Sequence, residues 1–175
     1  LAVNTDRLKR MFNDEYEVKN ELYAGDISFI GSMYNEKHNL YDRLCGVNDY
    51  TKGYLDAIMK VQRSIYGYFF LEDMLKGDVL DEMMRVCPVK PNEDGVETVQ
   101  YVYANYFLAR RMATDERTDI LSRVGRELGR ENKINLYTPD ASVRFINVNN
   151  KGTVDYYNEM PYVFRNSRIN LNITL

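Results

Sequence analysis

The chain has 175 residues, 45% of them hydrophobic and 28% charged, an ordinary globular balance that suffices for one sizeable core. A net charge of -3 and a pI near 5.3, without any run of Lys and Arg interleaved with aromatics, speak against DNA or RNA as a partner. Two separated cysteines, Cys45 and Cys87, and a single histidine argue against a structural zinc site and suit a reducing, cytoplasmic setting.

Nothing approaches the roughly 20 consecutive apolar residues of a membrane span, and the first residues lack the apolar core of a secretory signal. Residues 1–25 read as a linker segment, and 26–175 as one domain. Both ends, Leu1 and the apolar run Ile169 to Leu175, read as cut rather than natural.

The β-branched and aromatic run Ile27 to Ile30 predicts a strand closed by Gly31-Ser32. From about Asn39 to Arg130 the spacing is helical. Tyr54, Ile58, Val61 and Ile65 mark one face, with a break near Gly67, and Asp78 is placed to cap a short helix, Val79 to Val86. The Pro- and Asn-bearing stretch from Val86 to Gly95 is a loop, after which Val99, Val102, Tyr103, Tyr106 and Phe107 form a stripe. Thr114 is a candidate cap for a further helix carrying Ile120, Leu121, Val124 and Leu128 before Gly129.

Lys133 to Thr138 predicts a second strand, Val143 to Val148 a short extended segment, Asp155 to Asn166 a helix with Pro161 in its first turns, and Ile169 to Thr174 a closing strand. Strands separated by helical stretches predict an α/β fold with a mainly parallel sheet and a large helical insertion at about 39–130.

In such sheets ligands sit beyond the carboxyl ends of the strands. Three loops qualify: Gly31 to Asn35, Thr138 to Ser142, and Asn149 to Val154. Gly31 would let a phosphate approach the main chain, Ser32 can donate to it, and Lys37 can neutralise its charge. Gly31 also serves as a plain strand-to-helix turn, the simpler reading where no full G-x-G-x-x-G or Walker pattern exists. His38 reads either as a general base or as a solvated surface side chain. The fifteen tyrosines, Tyr101, Tyr103 and Tyr106 among them, read first as packing residues and second as a sugar-stacking platform. No paired-carboxylate spacing, G-x-S-x-G elbow or other nucleophile set is present, so no catalytic residue is named.

Three segments carry a family resemblance: Leu1 to Leu8, Asp26 to Tyr34, and Tyr156 to Thr174, the last with Glu159-Met160-Pro161 and Ser167-Arg168-Ile169. With them the chain resembles the C-terminal part of bacterial spore-maturation-type glycosyltransferases, of the GT-B group 1. The resemblance implies a partial Rossmann-like domain that holds a nucleotide-diphosphate sugar as donor substrate, with an unknown acceptor; no cofactor and no metal-ligating residue is named from the sequence. It places Gly31 and Ser32 by the donor phosphates and Gly152, Thr153 and Val154 beside the base or ribose; Lys37 and Thr138 complete the candidate set. It also implies that the family's glycine loop, acidic donor motif and N-terminal domain lie outside this sequence, leaving an isolated fragment inactive. A competing reading makes the helical insertion a protein-interaction module on an α/β scaffold, and a third makes the loops a phosphate-binding regulatory site. An unpaired sheet edge would further offer a template for homodimer formation.

Overall fold

A computed structural model describes residues 21–35, 39–93 and 95–173. They divide into two compact units: one combines the described part of Leu1–Ser32 with Thr118–Ile173, and the other is Met33–Arg117. The predicted linker, residues 1–20 of it at least, lies outside the described residues, as do Lys37 and His38.

The first unit is built on four parallel strands, β1 (Gly25–Ile30), β2 (Ile134–Tyr137), β3 (Val148–Asn150) and β4 (Ser167–Leu171), in the order β3-β2-β1-β4. The α/β class with a parallel sheet and helical insertion is thus the architecture of this chain. In register, Ile27 pairs with Ile134 and Phe29 with Leu136, so these four side chains share one face, and all are buried. The long helix α5 (Ala109–Leu128), within which the division between the units falls, meets that face through Gly125. A Cβ there would collide with the Ile146 carbonyl oxygen and the Val148 side chain.

The opposite face carries Ser28 and Asn135, buried and polar, with Tyr137 beyond them. Ser28 donates to Asn170 Oδ1 at 2.6 Å, and Asn135 Nδ2 to the Ala24 carbonyl at 3.1 Å, which keeps most of this polar strip paired. Tyr23, Tyr137, Tyr162 and Val163 form its apolar cluster, the last two from α6 (Met160–Arg165).

The second unit holds α1 (Asp49–Gln62), α2 (Leu71–Met74), α3 (Gly77–Val86) and α4 (Val99–Val102). The last continues through a π-helical stretch, Tyr103–Leu108, into the first turns of α5. Asn48 caps α1 by accepting the Thr51 N–H at 2.8 Å. Leu55, Leu71, Leu75, Met83, Tyr103, Phe107, Leu108 and Met112 form one buried core. Tyr103 donates its hydroxyl to the Cys87 carbonyl at 2.5 Å, and burial pushes its pKa up to about 12.

Several expectations are corrected. Val61 and Ile65 do not share the buried face of Ile58: Val61 is half exposed and Ile65 lies past the end of α1, because the helix turns Thr51, Leu55, Ile58, Met59 and Gln62 inward. Asp78 does not cap α3, which begins one residue earlier at Gly77, a glycine at φ 56; the carboxylate instead sits in the first turn, where it favours the helix dipole. Thr114 caps nothing. No Gly or Pro interrupts the chain from Val99 to Val124, the helix runs on, and the buried Thr114 hydroxyl donates back to the Arg110 carbonyl at 3.1 Å. The cap is Thr98, accepting the Tyr101 N–H at 2.9 Å. The extended segment moves from Val143–Val148 to Val148–Asn150, and helix 155–166 shortens to Met160–Arg165 with Pro161 in its first turn.

Candidate functional site

The order β3-β2-β1-β4 has a consequence at the carboxyl edge. The chain builds outward from β1 through β2 to β3 and then crosses back to the far side of β1, so the direction of winding reverses between β1 and β4. Such a reversal opens a crevice at the carboxyl ends of the two strands. Gly31 and Ser32 end β1 at that point, both half-buried.

The neighbouring loops are tied to the same edge. Gly31 donates its N–H to the Tyr137 carbonyl at 3.0 Å, and Lys151 donates to the Leu136 carbonyl at 2.8 Å, each extending the parallel ladder past its last paired residue. Asn150 joins two loops: its Nδ2 donates to the carbonyls of Asp140 (2.9 Å) and Val143 (3.2 Å), and its Oδ1 accepts the Gly152 N–H at 3.0 Å. Asp140 Oδ1 in turn accepts from the Ser142 backbone and hydroxyl, an Asx turn that fixes the loop after β2. Gly31, Ser32, Thr138, Gly152, Thr153 and Val154 therefore all belong to one edge of one sheet, spread over adjacent strands about 4.8 Å apart.

Their environments differ. Gly152, at φ 80, has open space where a Cβ would stand, and Thr153 is exposed. Val154 packs against the cluster of Tyr23, Tyr137 and Tyr162, so its side chain belongs to the apolar wall under the loop. Thr138 is 1% exposed and its Oγ1 has no hydrogen-bond partner; the Tyr137 hydroxyl is likewise buried and unpartnered, and burial pushes its pKa up. Arg144 donates to the carbonyls of Ala141 and Val143, stitching its own loop. Among the described residues no cluster of His, Cys, Asp and Glu could hold a metal ion, and both cysteines are free thiols. No helix there is long and apolar enough to cross a membrane.

The described residues of the second unit line cavities of their own. One, of about 500 Å³, lies under the loop between α1 and α2 and is lined by Ile65, Tyr66, Tyr68, Phe69, Met112 and Glu116, among others. Gln62 shapes that loop: its Nε2 donates to the carbonyls of Ile65 and Tyr68, and its Oε1 accepts the Phe70 N–H at 2.9 Å. Another, of about 430 Å³, is lined by Tyr34, Tyr101, Tyr106, Arg110 and Arg117 with three small residues between them.

No protein-family model matches the chain, and neither a curated protein nor a solved structure matches it.

Two features escaped the sequence. Asn150 reads as a turn residue beside Asn149 and Gly152, and its bridging role depends on β3 pairing with β2. The cavity-lining set Tyr106, Arg110 and Arg117 is an i, i+4, i+11 stripe, hidden by reading the tyrosines first as packing residues.

Proposed function

We propose that the parallel-sheet unit binds a nucleotide diphosphate at its carboxyl edge and acts as the donor domain of a glycosyltransferase, taking a nucleotide-diphosphate sugar. The observation that carries this reading is the all-parallel order β3-β2-β1-β4, whose reversal point falls beside Gly31 and Ser32. On this reading backbone N–H groups of the loops that follow the strands are the donors to the charge that develops on the leaving diphosphate, while the side of Gly31 that a Cβ would take faces the Phe29 ring at 3.1 Å. The donor set at the edge is neutral and small, as binding through backbone amides requires.

The experiment is calorimetric titration of the chain with UDP, GDP and their sugar conjugates, repeated on Gly31→Val. Saturable binding by one nucleotide class, weakened by the substitution, supports the reading. Absence of saturable binding by all of them overturns it.

A second reading has its own observation. Ile65, Tyr66, Tyr68 and Phe69 crowd one loop of the helical unit while Tyr66 is 86% and Tyr68 62% exposed, the kind of aromatic surface that marks protein-interaction sites. On this reading the helical unit is the interaction module and the sheet a scaffold, and nucleotide titrations stay silent.

A further inference from the structure

The cavity of about 500 Å³ in the helical unit is lined by one helix face and one loop. Asn105, Ala109, Met112 and Glu116 supply the helix face, spaced i, i+4, i+7 and i+11, a single stripe that covers about 16 Å of helix. The rest of the lining comes from the loop after α1, with Ile65, Tyr66, Tyr68 and Phe69.

That loop is held in shape without any ligand. Gln62, 7% exposed, donates Nε2 to the Ile65 and Tyr68 carbonyls and accepts the Phe70 N–H at Oε1. Gly67 turns the chain at φ 84, and the Tyr68 hydroxyl donates to Asp73 at 2.8 Å, which fixes the ring. A preformed, mostly apolar cavity with few polar groups is the usual build of a small-molecule site.

The polar side chains that the helix leaves to the cavity are acceptors. Asn105 donates Nδ2 to the Tyr101 carbonyl at 3.1 Å, which leaves its Oδ1 to accept. Glu116 is half-buried, and among the described residues its carboxylate has neither a hydrogen bond nor an ion pair, whereas its neighbour Asp115 pairs with Arg111 at 3.1 Å. A carboxylate drawn partly out of water without a partner has a desolvation cost that a bound cation offsets. Arg63, the basic residue of the lining, has an interaction of its own. The aromatic rings add to the same preference, because the negative face of a ring attracts a cation within about 6 Å of its centre.

We propose that this cavity binds an arylalkylammonium ion, its ammonium group on the Glu116 carboxylate and its ring over Met112 among the side chains of Tyr66 and Phe69. The buried Met112 lies one helical turn before Glu116 on the stripe, so an apolar body a few bonds from the charge reaches it. All the lining residues belong to the helical unit, and the site does not rest on the nucleotide edge proposed above.

The test is calorimetric titration of the chain at neutral pH with 2-phenylethylammonium, with methylammonium and 3-phenylpropionate as separate arms. The first is expected to saturate, to weaken with added NaCl, and to bind at least about tenfold more tightly than either comparator. Glu116→Gln is expected to lower its affinity about tenfold or more, as loss of a charged hydrogen bond does, and Glu127→Gln to change nothing. Because Glu116 gives up no bond among the described residues, Glu116→Gln should melt as the parent does. Unchanged affinity in Glu116→Gln or no saturation by 2-phenylethylammonium overturns the proposal, and so does a lower melting temperature in that variant, which would make the carboxylate a structural group. Equal or tighter binding of 3-phenylpropionate would give the charge preference to Arg63 and overturns it as well. Equal binding of methylammonium removes the role of the rings and overturns the arylalkyl assignment. A nucleotide held at the sheet edge responds to Gly31→Val and not to Glu116→Gln, so the two sites are told apart in the same series.

Discussion

Tyr23 and Glu159 stand 136 positions apart in the chain and are joined by a hydrogen bond of 2.7 Å, the phenol donating to Oε1. The other oxygen, Oε2, accepts the Asp155 N–H at 2.6 Å, so one carboxylate ties Tyr23, two residues before β1, to the turn that leads into α6. The Tyr23 ring stacks on Tyr162 at 6.3 Å and packs tilted against Tyr137 at 6.5 Å. Burial, followed by the bond to Glu159, raises the Tyr23 pKa above its ordinary value of 10.0.

Tyr23→Phe keeps the ring and removes the donor, and is expected to cost about 1–2 kcal/mol in urea unfolding. The sign at high pH follows from the raised pKa. Stabilisation from the neutral phenol is complete below about pH 10 and declines as pH rises beyond it, so the parent should lose stability there more steeply than Tyr23→Phe. Parallel alkaline profiles would show that the phenol is not protected by this contact.

Two glycines on helices should respond in opposite directions to the same substitution. Gly53 lies inside α1 with nothing within 4 Å of a Cβ, so Gly53→Ala gains helix propensity and should stabilise by about 0.5–1 kcal/mol. Gly125 faces the Ile146 carbonyl oxygen and Val148, and backbone cannot withdraw as a flexible side chain would. Gly125→Ala is expected to destabilise by about 1–3 kcal/mol, seen as a lower midpoint in chemical denaturation. A neutral Gly125→Ala would mean that α5 does not lie against β3 as described.

The strands β1, β2 and β4 were legible because their β-branched and aromatic runs are bounded by turn residues, and the parallel class followed from the helical stretches between them. β3 was misplaced because Asn149 and Asn150 are turn formers by composition. They are held extended by pairing with Asn135 and Leu136, while Asn147, at φ 57, supplies the turn just before them. The strand order, which singles out Gly31 and Ser32, is set by long-range pairing that no local pattern encodes. Within the helical region the breaks were harder still: Gln62 builds the non-helical loop 63–70 by three side-chain bonds to residues up to eight positions away, and a polar residue at the end of an apolar stripe gives no hint of that.

Acid should loosen the helical unit through Glu82. Its carboxylate accepts from Arg85 at 2.7 Å and 2.8 Å and from the Asn48 N–H at 2.8 Å, tying α3 to the start of α1. The Arg85 bonds first, then the Asn48 amide, hold its pKa down at about 2, below the ordinary 4.5. The stabilisation is therefore complete above about pH 4.5 and lost as pH falls toward about 2. Across that window the parent should lose melting temperature faster than Glu82→Gln, and the two curves should converge at the acid end. Curves that stay parallel would remove the contact from the account of acid unfolding.

Thr138 links stability to the proposed nucleotide edge. Its hydroxyl is buried without a partner, and a polar group desolvated in this way raises the free energy of the folded chain. Replacing it by the isosteric valine removes that penalty, so Thr138→Val should melt at or above the parent temperature, a gain of up to about 1 kcal/mol. If a diphosphate at the carboxyl edge recruits this hydroxyl as the loop after β2 adjusts, the same variant should bind UDP or GDP about tenfold more weakly, one lost hydrogen bond being of that size. Opposite movement of stability and affinity in a single variant distinguishes a residue kept for a ligand from one kept for packing. A Thr138→Val chain that melts lower than the parent would show the hydroxyl to be partnered in solution, and unchanged nucleotide affinity would take Thr138 out of the binding edge.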